Sequence, residues 1–556
     1  MTASAADSFP RRSARTLRFS AGAPRAFQVS PDGTTVTFLR SSSGTDRSAA
    51  LRVLDADTGT ERLVADPAAL LSGGDENLSQ EERSRRERMR EGGAGITGYA
   101  CDAKHTVAAF ALSSRLFVAD LSGAGARELP AAGAVVDPRP SPDGTLVAYA
   151  AGGGLHVVAV DTGAVDVAVS GDTASAGSAG SRVLAESDGP EVTYGLAEFV
   201  ASEELERYRG FWWSPASDAL LVARVDNAPV QVWHIADPEH PSREPLAHRY
   251  PAAGTPNAEV TLWLIALDGS RTQVRWDHET FPYLVAVNWG DNGPALLHVF
   301  SRRQDRAAVL SVDEATGATT VVREQSDPCW VDVVPGTPAW TPGGALVTVE
   351  VVGEALRLCL DGAAVSPATV QVRAVQTSGS DVYASGTSDL GEQHLYRFSA
   401  ADGFTAVSTE AGVHSGLGGN GTQILASSTL NSNHTAYTVR RGAAPTPCCR
   451  RPRTRVCFQC RGCCGWARGR CRPRCSSPRT GKRVGNRCRC CWIRTAGRTT
   501  RTSGRRLGLS SSRSGGPTRG TPSSSATTGV RRARRRSSAR SGSTSRPRRW
   551  TTRSTR

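Results

Sequence analysis

The sequence predicts an all-β fold, a β-propeller of seven or eight blades with short helical insertions, over about residues 20–440 of 556. Two repeated features indicate this fold. Turn-forming clusters precede short runs of alternating apolar residues, and a second turn containing Asp and Gly usually ends the strand that follows. Proline presets φ at the second position of a turn and glycine accepts positive φ, so each cluster folds one strand back on the next.

The first kind of turn recurs along the whole segment. The clusters are Ser-Pro-Asp-Gly at 30–33 and 141–144, Ser-Pro-Ala-Ser at 214–217, Asp-Asn-Gly at 291–293, Thr-Pro-Gly-Gly at 341–344 and Gly-Asn-Gly at 419–421. Hairpins that recur every several tens of residues are typical of propeller blades, which repeat a four-stranded sheet around an axis. The alternative is a β-sandwich or two separate β domains, but the number of similar units favours a ring.

Two segments interrupt the β pattern. Ser79, followed by Gln-Glu-Glu, predicts a capping box that opens a highly charged helix over residues 81–91, and Gly92 and Gly93 follow at its end. Residues 197–210 read Ala-Glu-Phe-Val-Ala-Ser-Glu-Glu-Leu-Glu-Arg-Tyr-Arg-Gly and run directly into an aromatic strand. We expect this second segment to be a helical or extended insertion that points toward the central cavity of the propeller.

Composition divides the chain at about residue 440. Residues 441–556 contain no Asp or Glu and 33 of the 67 Lys and Arg residues, so the first 440 residues hold 67 − 33 = 34 basic and all 52 acidic residues. The formal charge of +15 is therefore the sum of −18 and +33. So basic a segment without apolar periodicity predicts a disordered tail that would bind nucleic acid only non-specifically, through phosphates. We also expect residues 1–19 to be flexible.

Cysteine usage and hydropathy bear on compartment and cofactors. Eleven of the 14 cysteines lie in the basic tail, which leaves Cys101, Cys329 and Cys359 upstream. Few and scattered thiols are typical of a reducing compartment, and we see neither a signal peptide nor an apolar run of transmembrane length, so we expect a cytoplasmic, soluble protein. The tail cysteines form no regular pair of pairs, and we predict no metal site and no cofactor.

The propeller segment contains a distinctive group of motifs. These are Glu203-Glu204 followed by Tyr208, Trp-Trp-Ser-Pro at 212–215, Arg-Tyr-Pro-Ala-Ala-Gly-Thr-Pro-Asn at 249–257, Phe-Pro-Tyr-Leu at 281–284 and Asn288-Trp289. Together they resemble the dipeptidyl peptidase IV branch of the prolyl oligopeptidase family, and the bacterial cytoplasmic type fits best. The resemblance covers roughly residues 20–440.

The resemblance implies roles for three residues. In the family, paired glutamates on a propeller insertion bind the free α-amino group of a peptide substrate, which here implies Glu203 and Glu204. An ammonium has three donors and needs charged acceptors when it leaves water, so two carboxylates suit this task. The alternative is a solvated helix face of acidic side chains. An arginine from an earlier segment holds the substrate carbonyl in family members, and Arg90 is the candidate here, with a solvated helix as its alternative.

The resemblance also implies a catalytic domain that the sequence does not spell out. An α/β-hydrolase needs a Gly-x-Ser-x-Gly elbow followed by Asp and His. No such elbow follows Trp289, the last histidine is His434, and the tail has no acid. We therefore predict no catalytic residue in these 556 residues.

An out-of-frame translation of the hydrolase gene explains the tail. When the last base of each codon is joined to the first two of the next, residues 490–493, Cys-Cys-Trp-Ile, must read Leu-Leu-Asp, and the following codons can read Pro-Tyr-Gly-Gly. That string resembles the start of the family's hydrolase domain. The tail cysteines then correspond to leucine codons read one base off, which places a lost base between about Val439 and Cys448.

Two hypotheses follow for the function. The first is a truncated serine-type dipeptidyl peptidase, the substrate-gating propeller without its catalytic triad, whose parent activity releases N-terminal dipeptides from peptides. The second is a propeller scaffold whose basic tail binds nucleic acid or acidic partners. The genomic sequence across codons 436–450 distinguishes them.

Overall fold

The computed structural model describes residues 8–442 and 444–447, with gaps at 75, 124 and 162–179. Within these residues eight β-sheets follow one another along the chain as the blades of a propeller, which confirms the predicted fold and fixes the blade number at eight. Of the tail predicted to be disordered, residues 441–556, Arg441 and residues 444–447 belong to strands of the last blade, so that prediction is wrong at these positions, and the residues from 448 onward lie outside the described residues.

The helices and strands have the following bounds. Blade 1 contains β1 (Arg25–Val29), β2 (Thr35–Ser41), β3 (Ser48–Asp55), β4 (Glu61–Ala65) and a short β5 (Ala94–Gly95); blade 2 contains β6 (Ala100–Cys101), β7 (Val107–Leu112), β8 (Arg115–Asp120) and β9 (Gly125–Leu129); blade 3 contains β10 (Val136–Pro140), β11 (Leu146–Ala151), β12 (Gly154–Ala159) and β13 (Ser181–Ala185). Blade 4 contains β14 (Val192–Tyr194), β15 (Phe211–Trp213), β16 (Ala219–Asp226), β19 (Glu259–Ala266) and β20 (Arg271–Val274), and β17 (Val232–Ile235) with β18 (Leu246–Arg249) forms a separate hairpin. Blade 5 contains β21 (Tyr283–Asn288), β22 (Leu296–Phe300), β23 (Arg306–Val312) and β24 (Thr319–Ser326); blade 6 contains β25 (Ala339–Trp340), β26 (Leu346–Val352), β27 (Ala355–Leu360) and β28 (Ala363–Ala364). Blade 7 contains β29 (Gln371–Ser378), β30 (Asp381–Thr387), β31 (His394–Ser399) and β32 (Gly403–Ala406); blade 8 contains β33 (Val413–Gly419), β34 (Thr422–Ser428), β35 (Ala436–Arg441) and β36 (Ala444–Pro447). The helices are α1 (Phe9–Arg15), α2 (Pro67–Leu70), α3 (Gln80–Arg88) and α4 (Phe199–Glu204).

The Ser-Pro-Asp-Gly clusters fold the first strand of a blade onto the second, as the sequence predicts. At the first cluster the Gly33 amide donates to the Ser30 carbonyl at 2.8 Å, and the Asp32 carboxylate accepts hydrogen bonds from Ser30 and Thr34. The cluster at 141–144 repeats this geometry, with the Gly144 amide 2.9 Å from the Ser141 carbonyl. The turn residues therefore fix the antiparallel pairing of β1 with β2 and of β10 with β11.

The core lies between neighbouring blades rather than in a single centre. Apolar side chains of blades 1 and 2 pack around Leu51 and Phe110, those of blades 3 and 4 around Leu155 and Phe211, and blades 4 and 5 share a further cluster. Each fully buried large side chain contributes about 1.5–3 kcal/mol through the apolar surface removed from water. Adjacent blades thus stabilise one another throughout the described ring.

Blade 8 closes the ring against blade 1. Ile424 of β34 and Phe38 of β2 belong to the same buried cluster, and the Thr422 hydroxyl donates to the Gly33 carbonyl at 2.6 Å. These contacts join residues almost 400 positions apart in sequence, with 389 separating the hydrogen-bonded pair. Without this closure, the first and last blades would each expose one unpacked face, as the terminal repeats of an open repeat protein do.

The two departures from the β pattern occur where the sequence places them, with differences at their ends. Helix α3 has Ser79 as its N-cap, and the Ser79 hydroxyl accepts from the Glu82 amide, but the helix ends at Arg88 rather than at residue 91. Arg90 adopts a positive φ of 54°, which a continuing helix does not allow. The N-terminal segment expected to be flexible contains α1. Within the described ranges no helix combines the length and the apolar composition needed to cross a membrane.

Candidate functional site

The inner strand of blade 4 is divided in two by the segment that carries the paired glutamates. β14 and β15 both pair with β16, at Tyr194 opposite Arg224 and at Phe211 opposite Val222. Residues 196–209 leave the sheet between these two points and return to it. First strands such as β10 are largely buried while fourth strands such as β24 are exposed, so the insertion starts on the axial side of its blade.

A contact between two glycines closes the base of this insertion. Gly195 and Gly210 form an isolated antiparallel bridge, and Gly195 has a φ of +79°. A Cβ atom on Gly210 would lie 2.2 Å from the carbonyl carbon of Gly195, closer than any packed contact allows. The insertion therefore depends on backbone-to-backbone contact that only glycine permits.

Inside the insertion, a buried ion pair holds the ends of α4 together. Glu198 precedes the helix as its N-cap residue, but its side chain makes no capping hydrogen bond. Instead the Glu198 carboxylate accepts from Arg207 at 2.6 Å, with both side chains at most 5% exposed. Arg207 also donates to the carbonyls of Leu284 in blade 5 and of Arg209, at 3.0 and 2.8 Å. The pair thus ties the insertion to itself and to the neighbouring blade.

The paired glutamates lie at the C-terminal end of α4 and differ from Glu198 in their surroundings. Glu203 is partly buried and Glu204 is exposed. Among the described residues, neither carboxylate forms an ion pair or accepts a hydrogen bond, whereas the buried Glu198 accepts from Arg207. The insertion therefore presents two carboxylates that are free to meet a cation.

An arginine from the other insertion reaches this helix. Arg88, the last residue of α3, lies with its Nη1 atom 3.4 Å from the Ser202 hydroxyl and with its guanidinium 5.4 Å above the Phe199 ring. Burial lowers the pKa of Arg88, and the nearby carboxylate of Glu203 counteracts that shift. Two segments separated by 114 residues in sequence therefore meet beside the glutamates.

Helix α3 is held in place by a network of buried charges. Glu82, only 2% exposed, accepts from both Arg85 and Arg86, and Arg86 also pairs with Glu76 at 2.9 Å. The Glu76 carboxylate in turn accepts from the Gly95 amide of β5. The glutamate of the predicted capping box is therefore used to bind arginines and does not reach back to Ser79, whose amide donates to Ser114 instead.

Arg90, the arginine that the sequence singles out, lies two residues beyond the end of α3. Its side chain is exposed, and it takes part in at least one further interaction. The structure brings Glu203 and Glu204 together on one helix and places Arg88, rather than Arg90, in contact with that helix. The sequence contained one signal that favours Arg88: it lies three residues after Arg85, so the two arginines share one face of the predicted helix.

An aromatic cluster packs against α4 at Phe199. The Phe199 ring lies edge-on to Tyr250 at 5.2 Å, and Tyr250 lies edge-on to Trp233 of the β17–β18 hairpin at 5.8 Å. Arg249 anchors the same hairpin through two hydrogen bonds to Glu191, at 2.8 and 2.7 Å. The Arg-Tyr-Pro motif at 249–251 thus positions the helix with the glutamates. Within the described residues, no group of three metal-ligating side chains was found.

Comparison with known proteins agrees with this arrangement. Residues 109–437 match the family described as the dipeptidyl peptidase IV (DPP IV) N-terminal region. The chain is 28% identical over 153 residues to dipeptidyl aminopeptidase B of Saccharomyces cerevisiae, covering 26% of this chain and 19% of that protein. It is 34% identical over 76 residues to human dipeptidyl peptidase 8, covering 12% of this chain and 8% of that protein.

One solved structure shares the fold over most of the described chain. Porphyromonas gingivalis dipeptidyl peptidase 4 superposes with a TM-score of 0.60 at 18% identity, covering 79% of this chain and 61% of that one. The chain therefore matches less than a fifth of the length of the two curated relatives and about three fifths of this structural neighbour.

Proposed function

Because this chain belongs to the dipeptidyl peptidase IV N-terminal region family, we propose that its propeller recognises the free N-terminus of a peptide. Glu203 and Glu204 would receive the α-ammonium group. The observation that carries this proposal is the contrast within the insertion: Glu198 is buried and paired with Arg207, whereas the two carboxylates at the end of α4 form no ion pair or hydrogen bond among the described residues, although the guanidinium of Arg88 lies near Glu203.

Physical chemistry supports a cation at this position. Two neighbouring carboxylates repel one another, and a bound ammonium would relieve this repulsion while its three donors are satisfied. Hydrogen bonds in which both partners are charged are about twice as strong as neutral ones. An acetylated N-terminus has no charge and only one amide donor, so it would lose most of this interaction.

An arginine beside the glutamates would bind the carbonyl of the first peptide residue. The sequence favours Arg90 for this role, and the contacts of Arg88 with Ser202 and Phe199 make it the stronger candidate. Replacing each arginine by Gln separates the two. We expect Arg88→Gln to weaken peptide binding about tenfold and Arg90→Gln to change it less than twofold, because a contact with a charged group is worth roughly 1.5–3 kcal/mol.

We further propose that this recognition serves a serine-type hydrolysis that releases dipeptides from N-termini, in the cytoplasm. The two curated relatives are named dipeptidyl aminopeptidase and dipeptidyl peptidase, which supports the substrate class. The three upstream cysteines are free thiols, which fits a reducing compartment. The nucleophile, base and oxyanion hole would be encoded in the frame displaced by one base, of which residues 441–556 would cover only the first part of the hydrolase domain.

Peptide binding to the 556-residue chain tests the recognition directly. Calorimetry would compare Ala-Pro-Gly amide with its N-acetylated form, and we expect binding only of the free amine. Glu203→Gln and Glu204→Gln should each weaken it at least tenfold. Glu206→Gln is the matched control, because Glu206 is an exposed acid just beyond the same helix. Equal binding of both peptides, or equal effects of all three substitutions, would refute the proposal.

A further inference from the structure

A second charged group lies at the junction of blades 3 and 4, and its Arg209 belongs to the same insertion as the paired glutamates, five residues after Glu204. Arg139 of β10 and Arg209 of the insertion belong to neighbouring blades that are joined by a hydrogen bond from the Trp213 indole to the Arg139 carbonyl, at 3.1 Å. Arg139 is held by both oxygens of Asp137, at 3.0 and 2.8 Å. Two guanidinium groups and one carboxylate leave this group with one net positive charge.

Arg209 has donors that the described protein does not use. Its guanidinium lies 5.7 Å from the Trp212 ring, and its Nη2 atom donates to the Phe211 carbonyl at 3.2 Å. Its Nε atom is shielded from solvent and has no hydrogen-bond partner. A buried N–H group without a partner costs free energy, so such donors are normally satisfied by an acceptor.

Arg209 is partly buried. Burial, and then the positive charge of Arg139, lower the pKa of Arg209 to about 9. The residue nevertheless keeps part of its surface accessible to solvent, and the Arg139 side chain is 25% exposed. Protein atoms therefore surround the two cations while solvent, or a ligand, can still reach them.

Helix α3 connects this group to the paired glutamates. Burial lowers the pKa of Arg85, while Glu82 and, to a smaller extent, the nearby carboxylate of Asp137 raise it. Arg88 of the same helix lies beside Ser202 and near Glu203. Residues 85 and 88 are three positions apart and share one face of the helix, within about one turn or 5 Å along its axis. Helix α3 therefore reaches both charged groups, the second one at Arg85 and the glutamates at Arg88.

We propose that Arg209, assisted by Arg139, binds a carboxylate of the peptide whose N-terminus is held by Glu203 and Glu204. The ligand class is a peptide with an acidic side chain or a free C-terminus a few residues after the N-terminus. This inference rests on the proposed recognition of the N-terminus and extends it to a second contact of opposite charge. A guanidinium fork matches the two oxygens of a carboxylate, whereas a neutral amide offers a single weaker acceptor.

Binding of matched peptides to the 556-residue chain tests this site. Calorimetry would compare Ala-Pro-Ala-Ala-Ala amide variants that carry Glu or Gln at the third, fourth or fifth position. We expect Glu to bind at least fivefold more tightly than Gln at one or more positions. Arg209→Gln should abolish that preference, and Arg209→Lys should retain part of it. Arg303→Gln is the control, since the Arg303 side chain is 84% exposed and pairs with Asp305 instead.

The outcomes separate the two proposals. A wild-type chain that binds free amines but treats Glu and Gln alike, or an Arg209→Gln variant that keeps the preference while remaining folded by circular dichroism, overturns this inference alone. Loss of all dependence on the free amine overturns the proposed recognition instead. Inorganic phosphate is the last probe: if it binds through Arg209 and acidic peptides do not, the site takes free anions and the assignment to a peptide is wrong.

Discussion

The guanidinium of Arg207 lies 2.6 Å from the carboxylate of Glu198, and both groups are almost completely buried. Nine residues separate them, and α4 with its paired glutamates lies between. The remaining donors of Arg207 reach the carbonyls of Leu284 and Arg209, so the arginine is satisfied on several sides. The position of Glu203 and Glu204 therefore depends on a charge pair that itself remains hidden from a ligand.

Removal of Arg207 should destabilise the propeller. Arg207→Met leaves Glu198 buried without its partner, and we expect a loss of about 3–5 kcal/mol in the free energy of unfolding. Urea denaturation followed by tryptophan fluorescence measures this loss. The double variant Glu198→Gln/Arg207→Met should be less destabilised than Arg207→Met alone, because it leaves no uncompensated charge. Additive effects of the two substitutions would show that the pair is not coupled.

Gly210 should tolerate no side chain. A Cβ atom at this position meets the backbone of Gly195 at 2.2 Å, and neither strand segment can move without breaking its pairing with β16. We expect Gly210→Ala to cost about 1–3 kcal/mol, as overpacked sites do. Gly290→Ala is the control, because its Cβ would have nothing within 4 Å. Equal unfolding midpoints for the two variants would contradict the close approach.

How far the sequence predicts this structure depends on the range of each interaction. The turn clusters at 30–33 and 141–144 are local, so they predicted the hairpins and, by repetition, the propeller. The number of blades could not be predicted from local patterns, because it depends on where the ring closes. The closing hydrogen bond joins Thr422 to Gly33, which are far apart in sequence. The β17–β18 hairpin was not predicted as a separate sheet for a related reason, since its position depends on the packing of Tyr250 against Phe199.

The residues of the candidate site also differ in whether a local sequence pattern could predict them. Glu203 and Glu204 are adjacent in sequence, and a motif was enough to single them out. The choice between Arg88 and Arg90 depends on where α3 ends and on which side chain reaches Ser202, 114 residues away from Arg88. Arg209 and Arg139 come together only because blades 3 and 4 are neighbours in space. Local spacing carries no information on such pairs.

Acid should weaken the propeller through His298. This histidine of β22 is 5% exposed, its Nε2 atom has no partner, and burial lowers its pKa to about 4. Between about pH 6.5 and pH 4 the unfolded chain binds a proton at this residue and the folded chain does not. The contribution of His298 is therefore complete above about pH 6.5 and decreases by up to about 3 kcal/mol as the pH falls through this window.

Unfolding measured in urea at several pH values checks this expectation. His298→Leu should reduce the slope of stability against pH between pH 4 and 6.5, while leaving it unchanged above pH 7. His434→Gln is the control, since His434 is exposed and should have no effect on the slope. A His298→Leu variant with the wild-type slope would mean that other groups cause the acid sensitivity.

Restoring one base near codon 445 should convert an inactive chain into a dipeptidyl peptidase. The propeller can select an N-terminus through Glu203 and Glu204, but cleavage needs a nucleophile, a base and an oxyanion hole, and no Gly-x-Ser-x-Gly elbow follows Trp289. We expect no turnover of Ala-Pro or Gly-Pro anilide by the 556-residue chain and clear turnover after the frame is restored and extended.

In the restored protein, Glu203→Ala or Glu204→Ala should lower kcat/KM at least tenfold, since one charge-assisted contact is worth roughly 1.5–3 kcal/mol. Glu206→Ala serves as the control. Turnover by the unrestored chain would disprove the frame hypothesis, and full activity of both glutamate variants would remove the role proposed for the pair.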